Sequence, residues 1–129
     1  VLDHIHGKGI IHRDISPENI MLRDRDRLPV LIDFGVVKEL ANKAQFPQTA
    51  IPATTVGKMG YAPSEQIQTG RAYPSSDLYA LAVTCIVLLT GQEPQDLYDE
   101  TTLNWTWYRW IPAVDRGFTQ VLNRMLSYK

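Results

Sequence analysis

His12-Arg13-Asp14-Ile15-Ser16-Pro17-Glu18-Asn19, followed later by Asp33-Phe34-Gly35, is the stretch whose reading decides the rest. The first string fits the pattern H-R-D-x-x-x-x-N, and Asp33 stands nineteen residues beyond Asp14. Either triplet alone recurs by chance. Both together, in this order and each beside an apolar β-rich run, carry information. Ile10-Ile11 lead into the first string as a short β element. Pro17 bars a helix around it, so Ile15 to Glu18 is expected to be loop. Two apolar runs, Ile20-Met21-Leu22 and Val30-Leu31-Ile32, flank the charged turn Arg23-Asp24-Arg25-Asp26-Arg27. That is the pattern of a β-hairpin. It sets Asn19 just before the first strand and Asp33 at the end of the second, where their side chains can converge.

Upstream, Val1, Leu2 and Ile5 lie at helical spacing, and Gly7-Lys8-Gly9 ends the segment. These look like the last turns of a helix, whose beginning is expected before Val1. Downstream, Lys43 to Val56 holds Pro47, Pro52 and several small residues with little periodicity, which predicts a long mobile loop. Ser75-Ser76-Asp77 opens an apolar helix over Leu78 to Thr90, closed by Gly91, with Ser75 or Ser76 as N-cap and Asp77 favouring the helix dipole. Being apolar all round, this helix is expected to be the buried axis of the domain. Phe118, Val121, Leu122, Met125 and Leu126 define one more packing helix. Trp105, Trp107 and Trp110 have only Arg109 among them. A nucleic-acid stacking platform interleaves basic residues, so core or subunit-surface packing is expected instead.

Composition sets outer bounds. A chain of 129 residues makes one domain at most, and 44% hydrophobic with 21% charged residues is ordinary for a soluble globular protein. The net charge of −1 gives no field suited to nucleic acid or an anionic membrane. Cys85 is alone, which excludes an internal disulfide and a cysteine-based zinc site; in its apolar run a buried, inert thiol is expected. Val1-Leu2-Asp3-His4 has neither the charged leader nor the apolar core of a signal peptide. The longest apolar stretch, Leu78 to Leu89, spans twelve residues, too short to cross a bilayer. A cytoplasmic protein without a membrane segment is the expectation.

The two opening motifs resemble the catalytic loop and the metal-binding loop of eukaryotic-like protein kinases. Pro17-Glu18-Asn19 is similar to the Ser/Thr class rather than the tyrosine kinases. Ile15-Ser16-Pro17-Glu18-Asn19 with Tyr61-Ala62-Pro63-Ser64-Glu65-Gln66 resembles bacterial members, most of all cyanobacterial ones. The resemblance covers nearly the whole chain. It implies an α+β, protein-kinase-like fold of which residues 1–129 are a partial domain, the mainly helical C-terminal lobe, with the hairpin carrying the two loops. It also implies ATP and Mg²⁺ (or Mn²⁺) as cofactors and a protein as substrate. Asp14 would stand near the attacking hydroxyl, and Asn19 and Asp33 would supply hard oxygen ligands to the metal. Phe34 would pack under His12 and set the angle of Asp33, Gly35 would let the backbone turn, and Met21 would lie under the adenine. Arg13 would sit beneath an activation segment running from Val36 to Gln66, where a guanidinium can fork onto a phosphate. Thr49, Thr54 and Thr55 are its candidate phosphosites. Glu65 takes the place of the glutamate that closes this segment and pairs with a late arginine; no partner for it is evident before Lys129. Asp77 matches the aspartate that holds the backbone of the catalytic loop.

Two departures from the family pattern stand out. Ser16 occupies the position of the lysine that contacts the transferred phosphate, and Lys58, after Gly57, occupies that of a threonine. A paired exchange is expected, with the ammonium of Lys58 reaching the place vacated at Ser16. The residues contain nothing like a glycine-rich phosphate loop, a Val-Ala-Ile-Lys strand or its helix glutamate, so residues 1–129 alone are expected to be inactive. Two alternatives follow: a non-catalytic interaction module, encouraged by Ser16, and a small-molecule phosphotransferase of related fold. Retention of Asp14, Asn19 and Asp33 speaks against the first. Arg13, the D-F-G triplet and the segment Ala62 to Glu65 speak against the second.

Overall fold

A computed structural model describes residues 1–32, 38–39, 60–111 and 115–127. Helix α1 (Leu2–Gly7) leads into strand β1 (Ile10–Ile11), and a single 3-10 turn over Pro17–Asn19 precedes strands β2 (Ile20–Leu22) and β3 (Pro29–Leu31). Strand β4 (Lys38–Glu39) returns antiparallel to β1, with Ile10 opposite Glu39 and Ile11 opposite Lys38. Helices follow among the described residues: α2 (Ser64–Thr69), α3 (Pro74–Thr90), α4 (Pro94–Leu97) and α5 (Arg116–Leu126). A small ladder of β5 (Tyr98–Asp99) with β6 (Asn104–Trp105), and a 3-10 turn over Trp107–Trp110, lie between α4 and α5.

The expected hairpin is present, with Ile20 opposite Leu31 and Met21 opposite Val30. Its second strand starts one residue early, at Pro29. The ladder still reaches the end of the expected run, because the Ile32 N–H donates to the Asn19 carbonyl at 2.8 Å. The segment Ile15 to Glu18 is not wholly loop. Pro17 starts the 3-10 turn, since a proline in the first turn loses no hydrogen bond and its φ already suits a helical start.

The core gathers where α3 meets α5. Tyr61, Ala82, Val83, Ile86, Leu97, Trp107, Leu122 and Leu126 are all buried there. Trp107 is its largest member, and its indole Nε1–H donates to Asn123 Oδ1 at 3.1 Å, so the polar edge of the ring is satisfied. Trp105 packs at the margin, edge-on to Tyr79 and Tyr98, whereas Trp110 is half exposed. The tryptophans therefore divide between core and surface.

Two expectations for α3 are corrected. The helix begins at Pro74, with Tyr73 as N-cap, so Ser76 lies in the first turn rather than before it; its Oγ accepts the Tyr73 N–H at 3.0 Å. Nor is α3 buried all round. Ala80, Ala82, Val83 and Ile86 are buried, but Leu78, Leu88 and Leu89 are exposed, Leu88 by 66%. An apolar sequence permits burial on every side, yet α5 and the Trp107–Trp110 turn cover only one. On α5 likewise, Leu122 and Leu126 face the core while Phe118 and Val121 lie open. Gly91 ends α3 as expected, in the left-handed conformation (φ 69°), its N–H on the Val87 carbonyl. Among the described residues no helix is long and apolar enough to cross a membrane.

Candidate active site

The first two N–H groups of the loop His12–Asn19 are held by one side chain. Asp77, in the first turn of α3 and 1% exposed, accepts the His12 N–H on Oδ2 at 2.8 Å and the Arg13 N–H on Oδ1 at 2.9 Å. Its Oδ2 also lies 2.8 Å from Nε2 of His6, which reaches in from α1. A buried carboxylate is costly unless its oxygens are hydrogen-bonded, and here donors come from two different segments.

Above that anchor, the His12 ring is completely buried and its two nitrogens have distinct tasks. Nε2 lies 2.9 Å from the Ile32 carbonyl and Nδ1 accepts the Asp14 N–H at 3.2 Å. A carbonyl can only accept and an N–H can only donate, so the ring carries its proton on Nε2. The imidazole thus bridges the loop to the end of the hairpin, next in sequence to Asp33. Asn19 closes the loop on itself. Its Nδ2 donates to the Asp14 carbonyl at 2.7 Å and to Asp14 Oδ2 at 3.0 Å. With the amide nitrogen engaged on Asp14, Oδ1 is the atom of Asn19 suited to a cation. That donor fits a hard, oxygen-preferring metal such as Mg²⁺. Among the described residues no group of three or more His, Cys, Asp or Glu forms a complete metal site.

Arg13 has φ 73°, a left-handed conformation unusual for a residue with a long side chain. Its Nη2 donates to the Gly70 carbonyl at 3.2 Å, and its carbonyl accepts Nε2 of Gln66 at 2.8 Å. Burial pulls the guanidinium pKa down, and the neighbouring Asp77 carboxylate opposes that shift. Among the described residues, Nε of Arg13 and Oε2 of Glu65 are buried without a hydrogen-bond partner. The other Glu65 oxygen accepts Ser76 Oγ–H at 3.3 Å. Ser16 is buried; Met21 is 57% exposed on the hairpin surface.

The structure therefore brings His12, Arg13, Asp14, Asn19 and Asp77 together, and puts Glu65 beside Ser76 at the start of α3. Asp33, Phe34, Gly35, Thr49, Thr54, Thr55 and Lys58 lie outside the described residues, as does the stretch Lys43 to Val56, for which a mobile loop is expected. Two side chains that sequence reasoning did not select, His6 and Gln66, belong to the same network. Neither had a local signal: they meet their partners across 71 and 53 residues of sequence.

The protein kinase domain profile matches residues 1–125. This chain belongs to the protein kinase family. It is similar to the serine/threonine-protein kinase PknA of Nostoc sp., 44% identical over 99% of the chain and 23% of the relative. It is also similar to serine/threonine-protein kinase F of Synechocystis sp., 43% identical over 98% of the chain and 25% of the relative. Further away, the PknL kinase of Mycobacterium tuberculosis is 39% identical over 69% of the chain. The expected likeness to cyanobacterial Ser/Thr kinases is borne out. The chain spans about a quarter of the length of the curated cyanobacterial relatives it matches.

Proposed function

We propose that the parent protein transfers the γ-phosphoryl group of ATP to serine or threonine hydroxyls of protein substrates. On this reading residues 1–129 form part of the C-terminal lobe of its kinase domain and are inactive alone. The observation that carries it is the closed loop in which Asn19 fixes Asp14 through both its carbonyl and its carboxylate. A carboxylate held this way orients the attacking hydroxyl and takes its proton as the new O–P bond forms and ADP leaves. When bound, Mg²⁺ neutralises charge on the phosphates; Asn19 Oδ1 and Asp33 are the residues that would hold it, with Phe34 and Gly35 setting the approach of Asp33. Met21 offers an apolar surface to the adenine. Lys58 supplies the positive charge missing at Ser16, and Arg13 pairs with a phosphorylated threonine of the activation segment, for which Thr49, Thr54 and Thr55 are the candidates. Dependence on ATP puts the reaction in the cytoplasm.

The test uses the full-length parent with ATP, Mg²⁺ and a generic protein substrate. Asp14→Asn is expected to lower turnover by about 10²–10⁴-fold, the usual contribution of a positioned proton acceptor. Unchanged turnover in this variant, or phosphorylation of small molecules but no protein, would overturn the proposal.

A further inference from the structure

Arg13, the residue immediately before Asp14, is held in a backbone conformation that a residue with a Cβ disfavours (φ 73°). Such a conformation persists only where the surroundings over-determine it. Both peptide groups of Arg13 are gripped. Its N–H is fixed by Asp77 Oδ1 from α3, and its C=O by Gln66 Nε2 from α2, at 2.9 and 2.8 Å. Both bonds are buried, and Gln66 itself is 1% exposed. The carbonyl that Gln66 holds belongs to the peptide linking Arg13 to Asp14. Rotation of that peptide changes ψ of Arg13 and φ of Asp14 together, and so re-aims the Asp14 carboxylate.

We propose that Gln66 is a positioning residue for Asp14, acting as the second jaw of a clamp whose first jaw is Asp77. The proposal rests on the reading of Asp14 given above. The chemistry requires a donor of glutamine's length. Glutamate at the same place opposes a carboxylate to the Arg13 carbonyl, and methionine fills the space but donates nothing. Without the bond the carbonyl is left buried and unpaired, and the peptide relaxes away from the left-handed conformation.

The experiment compares the full-length parent with its Gln66→Met and Gln66→Glu variants, using ATP and a generic protein substrate. Gln66→Met is expected to lower kcat roughly 10- to 100-fold, the scale set by one unsatisfied buried carbonyl, with KM for ATP within about twofold. Gln66→Glu is expected to regain activity relative to the parent as pH falls, since the protonated carboxyl donates an O–H to the same carbonyl. Among the described residues the titratable groups around this peptide are Asp77 of α3, His6 of α1, Glu65 of α2 next to residue 66, and His12, Arg13 and Asp14 of the loop. All are present in both proteins, so a pH dependence unique to the variant reports residue 66. Unchanged kcat in Gln66→Met overturns the clamp, as does a Gln66→Glu profile parallel to that of the parent. Amide exchange separates this from the functional reading. Faster exchange of the Arg13 N–H in Gln66→Met supports the clamp even if the parent phosphorylates nothing, and unchanged exchange overturns it even if the parent is an active kinase.

Discussion

Replacing Asp77 by asparagine keeps the shape of the anchor and removes its charge. In the native chain three donors converge on this carboxylate: the N–H groups of His12 and Arg13 and Nε2 of His6, at 2.8, 2.9 and 2.8 Å. An amide has one accepting oxygen, and its NH₂ must then face a donor. Hydrogen bonds to a charged acceptor contribute roughly 1.5–3 kcal/mol against about 1 kcal/mol for neutral ones, and a stranded buried donor costs about 1–3 kcal/mol. Weakening the retained bonds and stranding one donor therefore predicts a loss of roughly 2–4 kcal/mol. That is a large share of the ~5–15 kcal/mol by which domains are stable. Urea denaturation of the full-length parent, followed by tryptophan fluorescence because Trp107 is buried in the core, reads this as a lower midpoint with an unchanged slope. His6→Ala, made alone and with Asp77→Asn, completes a double-mutant cycle; because the two side chains touch, the pair should cost clearly less than the sum. A loss under about 0.5 kcal/mol for Asp77→Asn, or strict additivity with His6→Ala, would refute the reasoning.

Two further outcomes follow from the geometry. Tyr79 is half-buried beside Tyr98 and Glu65, and burial first, then those neighbours, push its phenol up to about 12. The folded state therefore keeps a proton that the unfolded state releases near pH 10. Stability is unaffected below that pH and falls between about 10 and 12, at up to about 1.4 kcal/mol per pH unit, less for solvent screening; Tyr79→Phe should flatten this slope in alkaline denaturation, and an unchanged slope would remove Tyr79 as its cause. The glycines Gly60 and Gly91 both have positive φ but differ in what a methyl group meets. At Gly91 no atom of the described residues lies within 4 Å, so Gly91→Ala should cost only the conformational penalty of about 1 kcal/mol. At Gly60 the new Cβ would lie 3.0 Å from Cβ of Pro94, so Gly60→Ala should melt at the lower temperature of the two; the reverse order would contradict the packing of Gly60 on α4.

Features fixed by neighbours in sequence were legible, and features fixed by distant ones were not. The hairpin announced itself through a charged turn between apolar runs, and Gly91 marked the end of α3 because a left-handed residue is needed there. The start of α3 was misjudged because two serines before an aspartate look like a cap, while Pro74, a good first residue, lies just before them. Which side of α3 is covered was not legible at all. A helix apolar on every face carries no periodicity to show where α5 will pack, so Leu88 and Leu78 read like Val83 and Ile86. The two-residue strands β4, β5 and β6 are too short for alternation to appear.

The candidate site shows the same division, and there it has a chemical cause. On the proposed reading, the groups that act on a substrate must be of particular types at particular spacings, so Asp14 and Asn19 stand out in the bare sequence. The groups that hold them need only one donor or acceptor at the right place, and any of several residue types can supply it from anywhere in the chain. His6, Gln66 and Asp77 come from three separate helices and converge at the Arg13 backbone or on one another. Because Asp77 bonds main-chain atoms and Gln66 a main-chain carbonyl, the side chain of Arg13 is left to other work: Nη2 is spent on Gly70, while Nε is buried with no partner among the described residues. An unpaired buried guanidinium nitrogen is costly. The helices that fix the Arg13 backbone do so without using its guanidinium, and the loop therefore carries a buried cation with bonding capacity that no described residue uses.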